Sequence, residues 1–290
     1  MNFKKSLLEI HAAVLLFGLA GLFAKWLLFS PFVIVFGRVV FASLSLGIII
    51  HFSGIPLSCP KGQDRILFIL IGILLTAHWT FFFKSIQVSS VAVGLLAYST
   101  FPVFTTFLEP LFFKERLIKG NILLAFLCLI GVFFIIPTFS FSDKTFQGVF
   151  WGLLAGLSFA ILTIFNRSLS QRYSSLVISF YQNALAAILL IPFIFTISFR
   201  LNIRSLVLLA FLGIICTAFS HTLFIKGMKH VRAQTASIIS ALEPVYGILL
   251  ALFLLKEIPS YRTILGGIVI LGAVLGATCL STRKIHKNVI

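Results

Sequence analysis

A carboxylate followed by a proline, Glu243-Pro244, stands near the middle of the apolar run 232–255. An ionisable side chain at that depth costs roughly 2.5–3.5 kcal/mol on insertion scales, so it needs a use or a partner. Two readings are open. Glu243 is a protonatable group or a substrate contact, or it is tied to the donors of a helix kinked by Pro244, which frees a carbonyl. Ser240 and Gly247 share its face, and Tyr246 is a further candidate on the same run.

A second polar stripe lies on the run 88–112. Tyr98, Pro102, Thr105 and Glu109 recur at steps of 4, 3 and 4, one face of a helix. Such a stripe faces protein or water, not lipid. His78, Trp79 and Phe82 form a third group, with His221 on a later run. A histidine can bind an anion or an aromatic ring, relay a proton near neutral pH, or simply donate to a neighbouring helix. Trp79 can stack on a substrate ring or pack against lipid. Asn166 is a weaker cavity candidate, as are Tyr181 and Gln182. Arg38 lies inside a run and needs a carbonyl or carboxylate partner. Lys25 and Arg167 end their runs, either snorkelling to the interface or drawing an anion to the two mouths. With Glu109, Glu243 and Arg38, Lys25 completes the set of charges whose role is coupling or structure.

Long apolar elements must position these groups. Of 290 residues, 60% are hydrophobic and 10% charged, far from the composition of a soluble domain. The apolar blocks have the length a helix needs to cross about 30 Å of hydrocarbon. They fall at 7–28, 32–52, 65–84, 88–112, 118–137, 147–166, 175–198, 204–225, 232–255 and 262–281. The first continues past Lys25 without a cleavage site and reads as a span, not a leader. Ser30-Pro31, Pro56, Pro60 and Pro137 mark boundaries. Ten spans make an all-α integral membrane protein. With the N-terminus inside, the inner segments carry 15 Lys and Arg and the outer ones 7, which places both termini in the cytoplasm. The formal charge of +16 is then a matter of orientation, not of a nucleic-acid partner. Cys59, Cys128, Cys216 and Cys279 show no metal-ligand spacing.

A shift of 142 residues aligns landmarks. Lys84 falls on Lys226, Pro102 on Pro244, Lys114-Glu115 on Lys256-Glu257, and Lys25 on Arg167. Each half, 1–141 and 142–290, then holds five spans. Five is odd, so the halves are inverted, an arrangement recurrent in secondary transporters. No phosphate-binding loop, H-E-x-x-H or G-x-S-x-G is present, so direct use of ATP and a membrane-embedded transferase are both poorly supported.

The stretches LLAYSTFPVFTTFLEPLFFKERL and IISALEPVYGILLALFLLKEIPSYRTILGGIVILGAVLGA resemble the paired signatures of EamA-type carriers of the drug/metabolite transporter superfamily. The resemblance covers nearly the whole chain and is nearly silent on substrate. It implies ten helices, an inner-membrane location, cytoplasmic termini and a central cavity lined by spans 1, 3, 4, 6, 8 and 9. It implies carriage of amino acids or related metabolites, or of S-adenosylmethionine or another nucleoside-like compound, without a cofactor. Two departures stand out. Lys114 and Lys256 replace the usual small residue before the Glu, and Glu109 replaces an apolar residue. The expectation is a secondary carrier working by alternating access on a small polar metabolite. Protons are the candidate coupling ion, and the chain acts as a monomer or homodimer.

Overall fold

The computed structural model describes residues 2–57, 62–113, 119–240 and 242–287; the side chains of 2, 119–121, 124, 234, 237, 238, 274, 275 and 277–287 lie outside the description. Cys59, Pro60, Lys61, Lys114, Glu115 and Arg116 lie outside the described residues, as does the Cys279 side chain. Among the described residues the chain is helical, with no strand. In order the helices are α1 (Asn2–Ala20), α2 (Phe23–Trp26), α3 (Pro31–Phe52), α4 (Gln63–Val88), α5 (Val91–Tyr98), α6 (Phe101–Phe113) and α7 (Lys119–Ile135). There follow α8 (Lys144–Ser170), α9 (Ser175–Ile194), α10 (Ile203–Gly213), a π-helical turn (Ile214–Phe219), α11 (Ser220–Gly227), α12 (Ala233–Ser240), α13 (Glu243–Leu254) and α14 (Tyr261–Lys287).

Seven helical stretches are long and apolar enough to cross a membrane, and shorter apolar helices lie at Ala125–Ile135, Glu243–Leu254 and Tyr261–Ala273. Small polar residues start many of them. Ser30 accepts from Val33 N at 3.4 Å, with Pro31 as the first helical residue, and Ser90 accepts from Val93 N at 3.1 Å. Asp143 accepts from Phe146 N at 2.8 Å, and Asn202 and Ser205 bond each other's amides reciprocally. Each bond satisfies an amide that the helix itself leaves without an acceptor.

The runs 88–112 and 232–255, expected to be continuous, are each broken in two. The first breaks at Ser99-Thr100, between α5 and α6. The second breaks between Ser240 and Glu243, so Pro244 sits in the first turn of α13 and does not kink a helix interior. The physical reason is that proline lacks an N–H and has a pre-set φ, so it suits a helix start. Pro102 occupies the corresponding place as the second residue of α6.

Helix α8 packs along α4, α5 and α6; α3 packs on α9, α1 on α11 and α13, and α7 on α14. Small residues allow the close pairs. A Cβ on Gly131 would lie 2.8 Å from the Gly266 carbonyl, and one on Gly266 would lie 2.5 Å from that of Gly131. Van der Waals packing of this kind holds helices together where lipid supplies no hydrophobic drive. The starts of α5 and α6 precede those of α12 and α13 by 142 residues each. At the α7–α14 contact Cys128 Sγ meets the Ile270 carbonyl at 3.8 Å, again 142 residues apart.

Candidate functional site

Four helices of the first half and three of the second bring aromatic and charged side chains together in the interior. Phe17 comes from α1, Arg38 from α3, His78, Trp79 and Phe82 from α4, and Tyr98 from the last residue of α5. Phe159 comes from α8, His221 and Phe224 from α11, and Glu243 from the first residue of α13. All are buried. The rings touch in sequence. His78 lies 4.5 Å from Trp79, 4.7 Å from Phe159 and 5.4 Å from Tyr98, centroid to centroid. Trp79 lies 5.5 Å from His221, which lies 5.0 Å from Phe17. Phe82 stands edge-on to Tyr98 at 5.4 Å. Such tilted and edge-on pairs are the arrangement that aromatic quadrupoles prefer.

Charge enters this box from two sides. The Arg38 guanidinium carbon lies 3.3 Å from the Trp79 ring centroid, a cation–π contact in an apolar setting. On the other side the Glu243 carboxylate lies beside the Tyr98 hydroxyl and in the field of Arg38. The breaks in the two runs make the latter contact possible. They put Tyr98 at the end of one half-helix and Glu243 at the start of another. His78 Nδ1 lies 3.1 Å from the Ala155 carbonyl. A carbonyl only accepts, so Nδ1 carries the proton and Nε2 is left as an acceptor.

Several polar atoms of the box have no protein partner among the described residues: Arg38 Nη1, Trp79 Nε1, His221 Nε2 and Glu243 Oε2. Buried polar atoms are nearly always paired, so four such atoms in one contiguous cluster stand out.

The remaining sequence candidates scatter. Thr105 and Ser240 are buried but bond carbonyls of their own helices, Thr105 Oγ1 to Phe101 at 3.0 Å and Ser240 Oγ to Ala236 at 3.0 Å. Pro102 is buried one residue beyond Phe101, which stacks on Tyr98 at 5.1 Å. Tyr246 is half-buried, its Cβ close to Gly18 of α1. Asn166 is buried on α8 two turns beyond Phe159, its Oδ1 unpartnered among the described residues. Arg38, expected to find a carbonyl or carboxylate, binds Thr217 and, at 3.4 Å, the Cys216 carbonyl. Thr217 was not legible as a partner, because nothing in an apolar run marks the hydroxyl that will face a distant arginine.

Glu109 and Lys25 stand apart from the box, at opposite ends of the bundle. Glu109 lies further along α6, beyond the break at Ser99-Thr100, and meets α8 near its end. Its Oε1 pairs with Arg167 Nη1 at 2.6 Å and accepts from Ala233 N, the first residue of α12, at 3.0 Å. Lys25 Nζ donates to the Ser89 carbonyl at 3.1 Å. Beside it Glu257 Oε1 accepts from Val91 N at 2.7 Å and Ala92 N at 3.4 Å, at the start of α5. Further ion pairs, Arg172 with Asp64 and Lys226 with Glu9 at 2.8 Å, join the Arg167 end.

Comparison with known proteins agrees with this architecture. A crystal structure with 18% sequence identity superposes with a TM-score of 0.72 over 98% of both chains, a likeness of fold alone. The chain is 27% identical to the uncharacterized transporter YxxF of Bacillus subtilis, over 84% of this chain and 80% of that one. It is 25% identical to the uncharacterized inner membrane transporter YicL of Salmonella typhimurium, over 97% of both. It is also 25% identical to a protein of Rickettsia bellii named S-adenosylmethionine uptake transporter, over 79% of this chain and 78% of that one. The sequence profile of the EamA-like transporter family matches twice, at residues 4–136 and 146–279, and so covers most of the chain. A multi-pass bundle with charge enclosed at its centre, matched twice by that profile, belongs to the EamA-like transporter family and is a membrane transporter.

Proposed function

We propose that this chain is a secondary carrier that moves a small zwitterionic metabolite, an amino acid foremost, across the inner membrane by alternating access. Ten spans in two inverted halves, 1–141 and 142–290, form the carrier, with both termini cytoplasmic. The repeated 142-residue offset of helix starts supports the two halves, as does the contact of Cys128 with Ile270 across the α7–α14 pair.

The observation that carries the substrate reading is the set of unpartnered atoms in the aromatic box. Arg38 Nη1 and Trp79 Nε1 are donors suited to a carboxylate, and Glu243 Oε2 is an acceptor suited to an ammonium group. Rings between them suit an apolar or aromatic side chain. Charge of both signs without direct contact costs less once a zwitterion bridges it. The box is buried in this structure, so substrate enters and leaves when one end opens. The two capped half-helix starts, at Val91 and Ala233, are where opening takes place. A second reading, an S-adenosylmethionine-like substrate, draws on the same box. It carries the same amino-acid head, and its sulfonium cation suits aromatic faces.

Uptake of radiolabelled L-phenylalanine and S-adenosylmethionine into proteoliposomes, with and without a pH gradient, tests both. Phenylalanine is expected to enter and to be outcompeted by other apolar amino acids. Movement of neither compound sinks the reading. Glu243→Gln is expected to lower uptake at least tenfold and to abolish its response to the gradient. Equal gradient responses in variant and wild type would remove protons from the mechanism.

A further inference from the structure

The π-helical turn Ile214–Phe219 has no role in the transport reaction as proposed. Such turns are rare and concentrate at functional sites. This one faces Arg38. Gly213, just before it, lets the two backbones meet, since a Cβ there would lie 2.6 Å from the Arg38 carbonyl. Arg38 Nε and Nη2 then both donate to Thr217 Oγ1, at 2.9 and 2.7 Å. A threonine hydroxyl in an α-helix bonds the carbonyl three or four residues back. In the wide turn Thr217 reaches Leu212, five residues back, at 2.7 Å. The single hydroxyl proton is thereby committed, and the oxygen's acceptor capacity is directed to the arginine. Under the 142-residue shift Arg38 corresponds to Phe180 and Thr217 to Leu75, so the other half has no copy of this contact.

We propose that Thr217 is a positioning residue for substrate recognition: it fixes the Nε–Nη2 edge of Arg38 over Trp79 and so turns the Nη1 edge toward the substrate's carboxylate. The recognition step rests on the central box being the substrate site; the positioning step does not. With its Nε–Nη2 edge held, the guanidinium keeps one orientation on the ring, and carboxylate binding needs no reordering of a long side chain.

Two measurements separate these claims. The first uses ligand-free protein in a Trp26→Phe/Trp151→Phe background, where Trp79 is the remaining tryptophan. Thr217→Val and Arg38→Met are expected to change Trp79 emission alike, and Thr217→Ser to leave it as in the parent. An unchanged spectrum in Thr217→Val, with a changed one in Arg38→Met, overturns the positioning role. The second is phenylalanine uptake in proteoliposomes. Thr217→Val is expected to raise KM about tenfold with Vmax within about twofold, and Thr217→Ser to restore both. Loss of Vmax at unchanged KM, not rescued by serine, overturns the recognition step. If wild type moves no phenylalanine, the substrate reading and the recognition step fail together, while the emission spectra still decide the positioning. Should Thr217→Val yield no folded protein, Thr217→Cys replaces it, because a thiol is a weak acceptor.

Discussion

The two ends of the bundle face the same problem and meet it with different atoms. At one end the start of α5 leaves the amides of Val91 and Ala92 without helical acceptors, and at the other the start of α12 leaves that of Ala233. A carboxylate from the other half covers each: Glu257 at α5 and Glu109 at α12. A cation accompanies each, and the two cations, Lys25 and Arg167, are 142 residues apart. Beyond that the ends diverge. Arg167 touches its carboxylate directly at 2.6 Å and lies 4.2 Å from the Phe113 ring centroid, whereas Lys25 donates to the carbonyl of Ser89. Glu109 is not the shift partner of Glu257; that residue is Glu115. The comparison teaches that a helix start demands an anion, since its amides and dipole favour one. Which residue supplies the anion, and which cation escorts it, is free to differ between halves.

Substitutions at the two ends test this asymmetry. The largest effect belongs to Glu109→Ala. It removes a buried partner of Arg167 and the acceptor of Ala233, and is expected to cost about 3 kcal/mol. That reads as a lower apparent melting temperature in detergent and a smaller folded fraction on gel filtration. A loss no greater than that from Glu257→Ala would erase the distinction between the ends. Glu257→Ala removes a cap from α5 and is expected to cost about 1–2 kcal/mol by the same measurements. High salt should weaken the parent's advantage less at the Arg167 end, where Glu109 is buried, because buried pairs are screened least.

The smallest effect has the opposite sign. Lys256, just before Glu257, has φ of +55°, a left-handed conformation that costs a residue with a Cβ about 1–2 kcal/mol. Lys256→Gly is expected to stabilise by about 0.5–1 kcal/mol, net of the greater freedom that glycine gains when unfolded. A fall in melting temperature would show that the lysine side chain has a use that outweighs its backbone.

Much of this was legible before any coordinates. Apolar length announced the helices, and the 142-residue shift read from the landmarks is also the offset between the starts of α5 and α12 and of α6 and α13. Glu243, His78, Trp79, Phe82, Tyr98, His221 and Arg38 were all marked by one argument, that polar or ring-bearing groups in an apolar run need a reason, and the structure brings them together. The same argument marked Glu109, which the structure puts at one end of the bundle in an ion pair with Arg167, away from the box. Under the 142-residue shift the equivalent of His78 is Ser220, so His221 stands one residue out of register. The π-helical turn ends at Phe219, two residues before His221, and a turn that takes an extra residue displaces the register of the residues after it.

By itself, then, the sequence determined the class of the protein, the approximate place of its helices and which side chains are too polar to face lipid. Those depend on local quantities: run length, residue type and spacing. Only the tertiary structure decided that the two proline-bearing runs are broken, that Tyr98 meets Glu243 across the break, and that Thr217 holds Arg38 from 179 residues away. Those depend on which helices lie side by side and on the rotation of each about its axis. An apolar run constrains that rotation weakly, since most of its faces are equally fit to be buried.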